Sequence, residues 1–253
     1  MDRPLVDVLR VMEQKKHSNQ DEIDRLEEEN RQLLALYVVT MGTLGASAFF
    51  PVAFLLAQFF SYAAGAAGTR WVLTRAQKVY SLLKNTKALV EAFPEEEIEI
   101  FTDLPVPDHG SLDMLVKLRT ATKKAVFAIA LRTQGKSTIT YNEEKEVFYI
   151  RRRGGTNRWT PDHVERLGVQ GFWLRMNRQE ELFGTSRNDR NRPIVKLLVI
   201  TGETQIGQHP DHLYTEIGDQ RVLLLQRRST VFVLREEQLL PFLKVWLTTP
   251  PNK

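Results

Sequence analysis

Two short segments of the sequence bring together residue types that could form a metal-dependent nuclease centre. The segment LDMLVKL (112–118) places Asp113 in a mostly apolar run, and the segment FAIALRTQGK (127–136) ends a second apolar run with Arg132. In such a centre, a carboxylate on one strand binds a hard divalent cation, and a basic side chain at the end of the next strand lies near the phosphate. Such a centre needs a second carboxylate, and the apolar run before Arg132 contains none.

The same two residues allow readings other than catalysis. With a single carboxylate, Asp113 would hold Mg²⁺ weakly, and Arg132 cannot act as a base because its guanidinium stays protonated. Lys136 lies four residues beyond Arg132, but Gly135 intervenes. Asp113 and Arg132 can also form an ion pair between neighbouring strands. Mg²⁺ is therefore expected only under the catalytic reading, and no cofactor is expected otherwise.

The elements that must position these residues follow a mixed α/β pattern. Helical periodicity covers 70–93, a helix start lies at Thr160-Pro161, and 235–247 predicts a closing helix. Short apolar runs predict the strands, which are 98–102, 112–118, 125–131, 137–142, 146–152, 194–201, 221–226 and 229–234. This alternation predicts a mixed central sheet flanked by helices.

The order of elements and the motif spacing resemble the nuclease-related domain, a branch of the restriction-endonuclease-like fold, over roughly residues 77–247. In that family a helix carries a Gly-Glu pair, a strand carries an Asp, and a third motif reads Ile-Glu-Val-Lys. The resemblance places Asp113 at the strand Asp, Ala130 at the metal-binding Glu and Arg132 at the Lys.

The helix motif of that family falls on Ala76 and Gln77, where this sequence has no acid. Only one of the three acids of the family therefore remains, which implies a restriction-endonuclease-like fold with a degenerate centre. If any activity persists, the resemblance assigns it to Asp113, Arg132 and Gln77, with Asp113 as the metal ligand.

The segment 33–68 contains no charged residue and predicts a transmembrane segment. A buried core helix fits it less well because the segment is longer than such a helix needs. A cleaved signal peptide fits it less well because many charged residues precede it. The segment predicts a helical hairpin that turns near Pro51, and a single tilted, kinked span is the alternative. Basic residues flank both ends, which predicts that both ends face the cytoplasm: Arg25, Arg31, Arg70, Arg75 and Lys78.

The first 32 residues are charged and helix-prone. Ile23, Leu26 and Leu33 recur at roughly heptad spacing, which fits a solvated helix leading into the membrane or an oligomerisation element. A separate apolar stripe could lie on the membrane surface or pack on the globular domain, and it consists of Leu5, Val8, Leu9 and Met12. The expected domains are 1–32, 33–68 and 69–253.

An arginine-rich region begins at RRRGGTNRW (151–159). Arg151, Arg152, Arg153 and Arg158 could clamp phosphates, and Trp159 could stack on a base. The same arginines could instead face anionic lipid head groups or protect an edge strand from aggregation. A second cluster is TSRNDRNR (185–192).

Other chemistry has little support in the sequence. The chain has no cysteine, and its 35 basic residues only slightly outnumber its 31 acidic ones. His209 and His212 of the HPDH segment could begin a metal site, but Pro210 indicates a loop and no further ligand is evident.

The sequence predicts a noncatalytic accessory or scaffold protein, anchored in a membrane and bound to a membrane-protein complex, with its globular domain facing the cytoplasm. A membrane-tethered metal-dependent nuclease and a noncatalytic nucleic-acid tether remain as alternatives.

Overall fold

The computed structural model describes residues 18–47, 55–94, 97–120, 123–186, 193–226 and 229–248, without the side chains of 43–47, 55–67 and 183. Three sequence predictions fall outside these residues: the apolar stripe from Leu5 to Met12, the turn near Pro51, and the arginines of the second cluster at 187–192.

The described chain begins with two helices and ends with one, and the strands between them are interrupted by two further helices. The helices are α1 (Asn19–Ser47), α2 (Leu55–Ala92), α3 (His163–Asn177), α4 (Gln179–Phe183) and α5 (Glu236–Thr248). The strands are β1 (Ile98–Pro105), β2 (Ser111–Arg119), β3 (Lys124–Arg132), β4 (Thr138–Asn142), β5 (Val147–Arg152), β6 (Gly155–Arg158), β7 (Ile194–Ile200), β8 (Gln205–Ile206), β9 (Tyr214–Ile217), β10 (Gln220–Leu225) and β11 (Val231–Arg235).

The strands form two sheets, where the sequence predicted one. The large sheet has seven strands in the order β1-β2-β3-β7-β11-β10-β9, and β7 runs parallel to both β3 and β11. The small sheet has the order β6-β5-β4-β8. The predicted α/β class with mixed strand directions agrees with this architecture. The short elements β6, β8, β9 and α4 lie in segments for which no strand or helix was predicted, since they are too short to show periodicity.

The large sheet is covered on both faces. One face packs against α1, α2 and α5, with Leu26, Phe127 and Phe242 in its core. The opposite face packs against α3 and the small sheet, with Ile139 and Leu167 in its core. Because β3 is covered on both faces, its residues read as a continuous apolar run.

The predicted transmembrane hairpin is wrong. No helix in the described part of the chain is long and apolar enough to cross a membrane. The described part of the uncharged segment lies at the end of α1 and at the start of α2, and the uncharged part of each helix is shorter than the roughly 18–20 residues that a span requires. The predictions of an integral membrane protein and of a domain facing the cytoplasm depended on this segment and are overturned by the same finding.

The first turn of α1 covers the outer edge of the large sheet. The Asn19 amide donates to the Ile98 carbonyl at 2.9 Å and accepts from the Ile100 N–H at 3.0 Å, as a neighbouring strand would. Glu22 accepts from the Thr102 N–H at 3.0 Å. These contacts satisfy backbone groups on the unpaired edge of β1, which would otherwise be open to another strand. Ile23 and Leu26 are buried in the same core.

We expect Asn19→Ala to lower the free energy of unfolding by about 1–3 kcal/mol, because it leaves two buried backbone groups of β1 without partners. Urea unfolding of the full chain measures this loss. The matched control is Gln20→Ala, since Gln20 is exposed and its side chain donates to Asp24 of the same helix. Equal losses in the two variants would contradict the role assigned to Asn19.

Candidate functional site

Asp113 lies where β2 and β3 stop pairing. The registered pairing of these two strands ends at Met114 and Ile129. Just beyond that pair, the Leu131 N–H of β3 donates to Oδ2 of Asp113 at 2.9 Å. The Asp113 side chain therefore bonds to the backbone of β3 at a point where the strand ladder has ended, and the residue is only 1 % exposed.

Two cations neutralise the Asp113 carboxylate. Nζ of Lys78, from α2, lies 2.9 Å from Oδ1. Nη1 of Arg132, at the end of β3, contacts Oδ2. Both carboxylate oxygens are thus bonded to cationic side chains. Asp113 and Arg132 form an ion pair, and it lies inside the large sheet at the end of two central strands.

A second carboxylate, that of Asp103 on β1, lies beside Asp113. It falls between the registered pairs Thr102–Met114 and Leu104–Leu112 and has a φ of 51°, so the strand is locally distorted there. Lys78 Nζ bonds to Oδ1 of Asp103 at 2.5 Å as well as to Asp113. One ammonium group therefore bridges the two carboxylates.

The ion pairs continue from Asp103 to α1. Nη2 of Arg75 lies 2.7 Å from Oδ2 of Asp103 and 2.6 Å from Oε1 of Glu29. Burial by itself raises the pKa of Asp103, but the hydrogen bonds and charges of Lys78 and Arg75 outweigh it, so the pKa is lowered overall. The three acids and three cations form what we call the ion-pair network, which joins α1, α2, β1, β2 and β3: Glu29, Asp103, Asp113, Arg75, Lys78 and Arg132.

His163 fixes the other side of Arg132. Nε of Arg132 donates to Nδ1 of His163 at 3.1 Å. His163 is the first residue of α3, and Asp162 caps this helix by accepting from the Val164 and Glu165 N–H groups at 3.0 Å. Burial, together with the charges of Arg132 and Arg166, lowers the pKa of His163 to about 3. The imidazole is therefore neutral near pH 7 and acts as a hydrogen-bond acceptor.

These residues do not fit a divalent metal ion. Asp103 and Asp113 are the only carboxylates at the centre of the described network, and Lys78 already bridges them. Ala130, at the position of the expected metal-binding acid, is buried and has no oxygen ligand in its side chain. Within the described ranges, no group of three or more His, Asp or Glu residues could hold a metal ion.

The other predicted catalytic residues lie away from this centre. Gln77 is exposed on α2, and its neighbour Lys78 is the residue that enters the site. Lys136 is 85 % exposed and lies 3.9 Å from Glu203. Sequence reasoning missed Lys78, Asp103 and His163. The signal that could have found Lys78 is its spacing of three residues from Arg75, which places both cations on one face of α2.

The structure separates the arginines of the predicted binding surface from Trp159. Arg151, Arg152, Arg153 and Arg158 are exposed on the hairpin of β5 and β6. Trp159 is only 3 % exposed, and its ring packs edge-on against His163, with the ring centroids 4.6 Å apart. Trp159 is therefore a core residue beneath the ion-pair network and cannot offer its ring to a base.

The two histidines of the HPDH segment do not share a site. Nε2 of His209 accepts from the Tyr141 N–H at 2.8 Å, which satisfies the backbone of β4. Nε2 of His212 lies 2.9 Å from Glu143. Burial lowers the pKa of His209. Each histidine thus has its own partner.

No family model, curated protein or solved structure matches this chain.

Proposed function

We propose that this chain is a noncatalytic accessory or scaffold protein, whose α/β domain retains a nuclease-like arrangement of elements and uses it to bind a partner. The observation that carries this proposal is the state of Asp113. Its two oxygens bond to Lys78, Arg132 and the Leu131 N–H, and the residue is almost completely buried. A carboxylate in this state contributes to the stability of the sheet and is not available to a metal.

Charge balance supports the same conclusion. The ion-pair network contains three carboxylates and three cations, so its formal charge is zero. A divalent cation at Asp113 would either add two uncompensated charges in a poorly solvated place or displace Lys78, which would then lose both of its carboxylate partners. Either outcome opposes metal binding.

The order of elements supports the nuclease-like part of the proposal. Helix α2 precedes the antiparallel strands β1, β2 and β3, and α3 then leads to β7, which runs parallel to β3. Asp113 on β2 and Arg132 on β3 are adjacent in this arrangement, as the two strand motifs of the nuclease-related domain would be.

The accessory role is supported by large apolar side chains that α1 and α2 leave exposed. Exposed apolar surface of this kind marks interaction sites on folded proteins. These residues are Leu34, Leu36, Val38, Val39 and Met41 on α1, and Trp71, Leu73 and Tyr80 on α2. We propose that a partner protein binds here.

We expect the full chain to bind neither Mg²⁺ nor Mn²⁺ and to cleave no nucleic acid. Calorimetric titration with each metal tests the first expectation. Incubation with labelled single- and double-stranded DNA and RNA, with each metal and with EDTA, tests the second.

The control is Asp113→Asn, with its fold checked by circular dichroism. Metal-dependent cleavage by the wild-type chain that disappears in the folded variant would show that the protein is an enzyme and would overturn the proposal. Cleavage that persists in the folded variant would place the activity away from Asp113, in another site of this chain or in a contaminating nuclease.

A further inference from the structure

The outer face of the small sheet carries an aromatic ring among cations. Cross-strand partners share a face of a sheet, and Tyr149 lies opposite Thr140 on one side and Arg158 on the other. Arg151, two residues further along β5, lies opposite Thr138 and Thr156. The alternate residues of β5, Phe148 and Ile150, point into the core. Tyr149 and these arginines therefore lie together on the side away from the core.

A cavity of about 710 Å³ adjoins Arg151. Its lining is strongly basic, and Glu203 is its one acidic residue among those that the structure describes. The residues that line it are Lys136, Ser137, Thr138, Arg151, Arg152, Arg153, Glu203 and Gln205. The positive charge of this lining suits phosphate oxygens.

The cations of this face are available to a ligand. Arg151, Arg153 and Arg158 are exposed and bear no salt bridge to any residue that the structure describes. Arg152 donates to the neutral amide of Gln134 at 2.7 Å, so its charge is also uncompensated. Lys136 is held only loosely, 3.9 Å from Glu203. A partner that binds here must therefore supply negative charge.

We propose that this face binds single-stranded nucleic acid, with a base stacked on Tyr149 and phosphates bound by Arg151 and Arg158. Residues two apart on a strand are about 7 Å apart, and neighbouring strands are about 5 Å apart, so both arginines lie within one nucleotide of the tyrosine. The cavity beyond Arg151 receives the next phosphates along the strand. We call this surface the arginine face, with Tyr149, Arg151, Arg153, Arg158 and Lys136 as its members.

The ring of Tyr149 favours a single strand over other polyanions. A duplex keeps its bases stacked inside and offers the tyrosine no base face. An acidic peptide could pair with the arginines but has no planar group to cover the ring. The arginine face lies on a different sheet from Asp113, so this binding does not require the ion-pair network and adds a ligand to the proposed noncatalytic role.

The test is the affinity of the full chain for a fluorescent oligothymidylate of about 15 nucleotides, measured by anisotropy in EDTA. We expect Tyr149→Ala to weaken binding by about 5- to 150-fold, because stacking of a base on one aromatic ring contributes about 1–3 kcal/mol. Tyr149→Phe keeps the ring and should bind like the wild type. The matched control is Phe172→Ala, since Phe172 is an exposed aromatic residue on α3 and is not part of this face.

The salt dependence gives a second, independent measure. Each phosphate contact on a single strand contributes about 0.7 to the slope of log K against log salt concentration, so Arg151→Ala combined with Arg158→Ala should lower the slope by about 1.4. Arg235→Ala, at an exposed arginine on β11, should leave the slope unchanged.

Three results would overturn the proposal. The first is an unchanged affinity in Tyr149→Ala, the second is tighter binding to a duplex of the same length, and the third is competition by polyglutamate as effective as by unlabelled oligonucleotide. Because these measurements exclude metal, they are separate from the cleavage assay: an active nuclease would overturn the proposed noncatalytic role and leave this binding site standing.

Discussion

Replacing Asp113 with alanine is expected to lower the free energy of unfolding by about 3–5 kcal/mol, the usual loss when one partner of a buried ion pair is removed. The variant leaves Lys78 and Arg132 without their shared carboxylate, and the side chains of these two cations are only 27 % and 16 % exposed. It also leaves the Leu131 N–H without the acceptor that Asp113 provides. Urea unfolding of the full chain near pH 7 measures the loss.

The matched control is Asp211→Ala. Asp211 also forms an ion pair with an arginine, Arg221, but its side chain is 95 % exposed. Exposed pairs contribute about 0–1 kcal/mol, so this variant should be nearly as stable as the wild type. Similar losses at Asp113 and Asp211 would show that burial does not set the importance of the Asp113 pair.

Whether the loss of the Asp113 carboxylate lowers or raises the free energy of unfolding also distinguishes the ion-pair network from a metal centre. In a nuclease centre without its metal, two neighbouring carboxylates repel each other, and removing one stabilises the fold. Here Lys78 lies between Asp103 and Asp113, so removing Asp113 should destabilise the fold. A gain in stability for Asp113→Asn, together with stabilisation of the wild type by Mg²⁺, would favour the metal-binding reading.

The sequence predicted the strands that carry the site better than the site itself. The runs around Asp113 and Arg132 are apolar enough to identify two buried strands, and their proximity followed from that. Lys78 comes from a helix far away in the chain, and whether Lys78 or Gln77 faces the sheet depends on a helix rotation of about 100° per residue. Asp103 faces Lys78 at a distorted point of β1, which no periodic pattern encodes.

The arginine face shows the same limit. Trp159 follows an arginine and was the aromatic residue expected to stack on a base. Strand register decides otherwise, because a shift of one residue exchanges the two faces of a strand. The pairing of Tyr149 with Arg158 places this tyrosine on the outer face, and Trp159 closes the core. Only the register of β5 with β6 distinguishes the two rings.

The stability of the fold is expected to fall by about 2 kcal/mol between pH 7 and pH 5, because of His163 alone. Its pKa is lowered to about 3 in the folded chain by burial and by the charges of Arg132 and Arg166, against 6.5 as its ordinary value. Between these two values the unfolded chain binds a proton that the folded chain does not. The contribution of His163 to the free energy of unfolding is therefore fully present above about pH 6.5 and is lost as the pH falls toward 3. The lowered pKa of His209 adds a slope of the same sign in this range, whereas the lowered pKa of Asp103 acts only below about pH 4.

Urea unfolding at several pH values between about 7 and 5 tests this expectation. In His163→Asn the amide oxygen can still accept the hydrogen bond from Arg132, but the side chain does not titrate, so the dependence on pH should flatten in that range. The control is His212→Asn, which removes a histidine whose side chain is 61 % exposed. If the slope in His163→Asn is as steep as in the wild type, a group other than His163 binds the proton. If only a shallow slope remains, the folded chain keeps His163 neutral, and acid destabilises the fold because the same histidine is protonated in the unfolded chain.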